Sequence, residues 1–174
     1  MKFIDESACH LGLTRAYGWA KKGRRCCFTV PGNTGPRRTM VGLFTLGGGM
    51  AAHRTQKGSL KAEGFQSFVE DIVAPRLAAG DVVILDNAAC HRGKRVRELI
   101  EAAGARLLFL PPYSPDFSPI ELAWRKIKAG LREAGARTAD VLLSAIEAAM
   151  RVVTARDAEK FYTHCGYPAA GQSH

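Results

Sequence analysis

The chain has 174 residues, 47% of them hydrophobic, which is enough for one domain of ordinary size with a real core. No apolar run approaches the ~20 residues of a membrane span, and acids interrupt the opening MKFIDES too early for a secretory signal. A membrane protein is therefore not expected. The expectation is a cytoplasmic protein, and its formal net charge of +9 favours a polyanionic partner, nucleic acid first.

In chain order, residues 2–5 (KFID) read as a short buried strand. Residues 10–25, with Gly12, Gly18 and Gly23, read as loops and a turn, and 26–30 (CCFTV) as a second strand. PGNTGP is turn chemistry. RTMVGLFTL (38–46) and MAAHRTQ (50–56) form a predicted hairpin around Gly47, Gly48 and Gly49, where positive φ is needed. The period then changes to helical with Phe65, Phe68, Val69, Ile72 and Val73, and Ser59 as the expected N-cap. DVVILD (81–86) is an apolar run ending in an acid, as in a strand buried on both faces. A helix carrying Val96, Leu99, Ile100 and Ala103 ends at Gly104, and RLLFL (106–110) reads as a strand. After a proline-stiffened loop, a helix starts near Pro119 with Ile120, Trp124, Ile127 and Leu131 on one face; two more follow near 138–153 and 155–164, then a tail from 168. The order predicts an α/β layered domain with a mixed sheet.

The chemistry-bearing residues are acids. Asp5 lies inside one apolar strand and Asp86 ends another, and an unpaired buried charge costs several kcal/mol or more. A divalent metal is a suitable partner, and carboxylates suit magnesium or manganese. Glu121, 35 positions after Asp86, sits in the first turn of a helix, where the dipole favours an ionised carboxylate. Blander readings stand beside these. Asp86 also reads as a loop-capping acid, Asp5 as the partner of a nearby cation, and Ser118-Pro119-Ile120-Glu121, taken alone, as a capping box first. The five cysteines, odd in number and without a C-x-x-C pair, read as reduced thiols, and no Cys/His group has zinc-ligand spacing.

FIDES (3–7), VVILDNAACH (82–91), LLFLPPYSPDFSPIELAW (107–124) and HCGY (164–167) together resemble the catalytic domain of Tc/mariner-type insertion-sequence transposases. The resemblance implies an RNase H-like fold over residues 1–167, a flexible tail at 168–174, and an Asp5, Asp86, Glu121 triad holding two magnesium ions, with manganese able to substitute. It further implies hydrolysis at transposon ends followed by strand transfer into target DNA, on nucleoid DNA, by a homodimer. Ser118 stands where many members have asparagine, an equivalent capping residue. The helix-turn-helix domains of full-length relatives are expected to be absent, because the chain starts four residues before Asp5. An RNase H-like nuclease or resolvase without strand transfer, or an inactive domesticated DNA-binding module, are the alternative readings.

Around the triad, Arg92, Lys94 and Arg95 beside Asp86, and Arg125, Lys128 and Arg132 on the face of Glu121, are expected to bind DNA phosphates. His91 reads as a cap of the following helix ahead of a contact to the scissile phosphate or a buttress for Asp86. Asn87 either orients Asp86 or shapes the turn. Trp124 reads as core, Asp116 ranks below the triad, and Cys90 is assigned no nucleophilic role.

Overall fold

The computed structural model describes residues 1–15 and 17–168. Five strands form one mixed sheet in the order β3-β2-β1-β4-β5: β1 (Lys2–Cys9), β2 (Arg38–Thr45), β3 (Gly49–Lys57), β4 (Val82–Leu85) and β5 (Arg106–Phe109). The first three pair antiparallel with one another, while β4 runs parallel to β1 and β5 parallel to β4. The helices are α1 (Ala62–Phe68), α2 (Lys94–Ala102), α3 (Pro119–Ala134), α4 (Ala139–Arg151) and α5 (Ala155–His164). A π-helical turn over Val69–Val73 and a 3-10 turn over Ala74–Arg76 extend α1.

Alternation along β1 sorts the core into two layers. Phe3 packs with Ile84, Ile120, Trp124 and Ile127 on the side covered by α3, α4 and α5. Ile4 packs with Val83, Leu85, Phe65 and Ile100 on the side covered by α1 and α2. Each such fully buried side chain contributes roughly 1.5–3 kcal/mol relative to exposure. The apolar stripe Ile120, Ala123, Trp124, Ile127 and Leu131 is therefore ample to fix α3 against the sheet.

The Gly47–Gly49 turn forms as expected. Gly49 has φ +62°, and a Cβ there would lie 2.3 Å from the carbonyl oxygen of Val153, so a side chain would lift the hairpin off the α4–α5 junction.

Several boundaries differ from the sequence reading. The first strand runs to Cys9, because the polar ESAC segment is held by antiparallel pairing, from Glu6↔Val41 to Cys9↔Arg38. CCFTV is not a strand: residues 26–30 pair with no strand and are exposed, since β-favouring composition forms no strand without a neighbouring edge. Ser59 is not an N-cap; α1 starts three residues later, capped by Lys61 without a side-chain hydrogen bond. The tail expectation lies, from 169 onward, outside the described residues.

Candidate active site

The backbone pairing of β1 with β4 stops at Phe3↔Ile84. Two residues beyond that last pair stand Asp5, on β1, and Asp86, just past the end of β4. Period-two alternation keeps Asp5 on the side of Phe3, towards α3. The first turn of α3 brings Glu121 to that end of the sheet. All three carboxylates line one cavity of about 500 Å³, whose other wall is the Leu110–Pro115 loop.

Asp5 is the most perturbed of the three. Burial, then the negative charges of Glu121, Glu6 and Asp86, push its pKa up to about 7, against a smaller lowering by a backbone hydrogen bond. Its Oδ2 accepts a hydrogen bond from the indole Nε1 of Trp124 at 3.0 Å. Trp124 is core, as the helical spacing predicts, but it also orients an acid. Gly42 makes this geometry possible: it is the β2 residue opposite Asp5, and a Cβ there would meet Met50 Sδ at 2.5 Å and Trp124 Cη2 at 3.1 Å.

Asp86 is held differently. Its Oδ1 accepts from the Ala88 N–H at 2.9 Å and meets Nδ1 of His91 at 2.5 Å. The hydrogen bond from His91 is the largest reason its pKa falls below the usual carboxylate range. His91 caps no helix, since Gly93 is the N-cap of α2. It is fully buried, stacked 4.2 Å from the ring of Phe65, and its Nε2 lies 2.8 Å from Oε2 of Glu6. Burial alone would lower the imidazole pKa, but the hydrogen bonds to Asp86 and Glu6 outweigh it and hold the value at about 9. The buttress reading of His91 is the one the structure supports. The capping reading gives way because the ring turns inward between two acids. Asn87 shapes the turn, donating to the Leu110 carbonyl and accepting from Arg92 at 2.9 Å, and makes no bond to Asp86.

Glu121 is not the far arm of a capping box. The Ser118 side chain makes no capping hydrogen bond, and the Ser118 N–H donates to the Pro115 carbonyl at 2.9 Å. The Glu121 carboxylate is left to face the cavity.

The cations are dispersed. Arg92 lines the acid cavity, and Lys94 lines a second one beside it, with Arg97. Arg95 is tied to Glu70 at 3.0 Å. Arg125 is exposed, and Lys128 and Arg132 are half-buried along α3; none of the three lines either cavity. Asp116 sits in the 3-10 turn Pro115–Phe117 and is absent from the cavity wall. Glu6, Cys90 and His91 bring ligand atoms within 4.8 Å of one another, a cluster that sequence spacing did not reveal. Both imidazole nitrogens are already engaged by carboxylates, so the cluster functions as part of the Asp86 support.

A five-stranded mixed sheet in this order, flanked by helices on both faces, is an RNase H-like fold. The sequence profile of the DDE superfamily endonucleases matches residues 1–142, and the chain belongs to that family. Sequence comparison with characterised proteins finds no significant match. Solved structures share the fold at low identity. The Mos1 strand transfer complex superposes with a TM-score of 0.69 at 17% identity, over 95% of this chain and 52% of that one. The mariner Mos1 paired-end complex with Mg gives 0.65 at 16%, over 95% and 53%. The catalytic core domain of BIV integrase gives 0.51 at 14%, over 86% and 79%. The chain thus spans about half the length of the Mos1 chains it matches.

Among the described residues, no helix is long and apolar enough to cross a membrane.

Proposed function

We propose that this domain is the catalytic unit of a cut-and-paste transposase, hydrolysing phosphodiesters at transposon ends and joining the freed 3′ hydroxyl to target DNA, with Asp5, Asp86 and Glu121 as its metal-holding acids. The observation that carries the reading is the convergence of these carboxylates, from β1, the end of β4 and the start of α3, on one cavity. A buried carboxyl among like charges, with Asp5 pushed up to about 7 by burial first and its acidic neighbours second, is short of positive charge, and an all-oxygen donor set fits a hard divalent cation. Mos1 paired-end complexes are described with Mg and with Mn, which agrees with that donor set. Asp5, Asp86 and Glu121 would hold two such ions in this reading, and the ions would supply Lewis-acid chemistry at the attacking and leaving oxygens.

The protein's own part is positioning. Trp124 fixes one oxygen of Asp5, and His91 fixes one oxygen of Asp86 while its Oδ2 takes no hydrogen bond from the described residues. Arg92, Lys94 and Arg95 near Asp86, and Arg125, Lys128 and Arg132 along α3, are the cations proposed to bind backbone phosphates of the element end and the target. Residues 1–167 form the catalytic unit in this reading, working as a homodimer on two ends in nucleoid DNA. The test is a cleavage and joining assay on the element's own end DNA, with Mg²⁺, with Mn²⁺ and with chelator. Cleavage without joining would reassign the domain to a nuclease or resolvase, and metal-independent cleavage would overturn the site.

A further inference from the structure

The β1–β4 ladder is very short. Two residue pairs, Lys2↔Val83 and Phe3↔Ile84, are all that joins these strands before they reach Asp5 and Asp86. Past that point no backbone register pair fixes the spacing of the two acids. A side-chain chain takes over: Glu6, next to Asp5 on β1, meets Nε2 of His91 at 2.8 Å, and Nδ1 of the same ring meets Asp86 at 2.5 Å. The ring is fully buried against Phe65, so it cannot swing away. Alternation along β1 sends Glu6 to the face opposite Asp5. It therefore ties the strands together from behind and leaves the cavity side open.

We infer that Glu6 is a positioning residue for Asp86, acting through His91 to set the separation of the two strand-borne acids and so the affinity of the site for its divalent cation. The inference rests on the reading of Asp86 as a metal ligand. Second-layer partners of this kind typically change metal affinity by about 10–100-fold when removed.

The test is Mn²⁺ binding to the whole chain, read by the electron paramagnetic resonance signal of free Mn²⁺ at a temperature where each variant is folded. Glu6→Leu keeps the bulk beside His91 and removes the acceptor; binding should weaken by about 10-fold or more. Glu6→Gln retains an oxygen for the Nε2 proton and should bind Mn²⁺ within about threefold of wild type. DNA cleavage by Glu6→Leu should recover at excess Mn²⁺, whereas a general packing defect would lower the rate at every concentration. If Glu6→Leu does not fold, Glu6→Ala takes its place with the same expectation. Wild-type Mn²⁺ affinity in the folded Leu or Ala variant overturns the inference, as does failure of both to fold, because Glu6 would then be holding the fold and not the acid. Asp86→Asn is the control: if it binds Mn²⁺ normally, the metal reading itself is wrong, independently of Glu6.

Discussion

The indole Nε1 of Trp124 donates a hydrogen bond to Oδ2 of Asp5 at 3.0 Å, joining a core residue of α3 to an acid of β1 that lies 119 positions earlier. Trp124→Phe keeps an aromatic ring in the core and deletes this donor. We expect a folded protein with cleavage reduced and a higher Mn²⁺ requirement. Trp124→Ala should instead lose roughly 3–5 kcal/mol of stability through the cavity it leaves. Chemical denaturation alongside cleavage separates the two effects. Unaltered cleavage by the Phe variant would mean the indole only packs.

Asp5→Asn should abolish cleavage and raise the melting temperature of the metal-free protein at pH 8. The folded pKa of Asp5, about 7, lies above the unfolded value. Its contribution to stability is therefore complete below about pH 4 and lost as pH rises through about 7. Asparagine escapes that loss, so its advantage over wild type should grow between about pH 4 and 7 in chelator, level off above that, and reverse when Mn²⁺ is added. Asp86→Asn should also abolish cleavage, but without the gain, because Asp86 is stabilised as a carboxylate by His91.

Glu121→Gln tests the third acid. With the Ser118 N–H already bonded to Pro115, no cap is lost. Melting should stay within a few degrees of wild type while activity falls at least ~100-fold, the scale of a lost metal clamp. Activity within a few-fold of wild type would remove Glu121 from the site.

Changing Arg125, Lys128 and Arg132 together to alanine should weaken DNA binding for every sequence tested. Each lost phosphate contact should flatten the log–log salt slope by about one unit. Affinities on element-end and scrambled duplexes, from low to moderate salt, decide this. Tight, salt-insensitive binding confined to the element end would show that bases are read here.

A second pH dependence lies away from the site. Asp157 closes a capping box with Thr154 and meets Lys126 Nζ at 2.7 Å, and that hydrogen bond is the largest cause of a pKa lowered to about 2. A depressed folded pKa gives stability that is present above the unfolded value of about 3.9 and lost as pH falls through about 2. Asp157→Asn should therefore melt lower than wild type at neutral pH, and the gap should close between about pH 4 and 2.

The sequence reading singled out Asp5, Asp86 and Glu121 because each stands in a strong local pattern: two apolar strands and the first turn of an amphipathic helix. It missed Glu6, since nothing in a single strand shows that the residue behind Asp5 meets a histidine 85 positions later. His91 was read as a cap because its neighbours in sequence open a helix, while its actual partners come from β1 and the end of β4. The Trp124 indole was read only for its spacing, which reports burial and not the direction of a polar N–H. CCFTV misled in the opposite sense, with strand composition in a segment that is exposed and pairs with no strand. Local periodicity carried the elements, and the contacts that tune the acids arise only when distant elements meet.

The strand order also dictates when the chain can act during its own synthesis. The antiparallel β1–β2–β3 meander is built from near neighbours in sequence and is free to fold early. The central strand then waits some eighty residues for its parallel partner, and longer still for the helix that carries the last acid. A nascent chain emerging from the ribosome at ~5–20 residues per second thus passes through a stage with two acids and no third. On the proposed triad, ribosome-bound or prematurely terminated fragments ending before α3 lack the third acid, so cutting would begin only after most of the domain has been made.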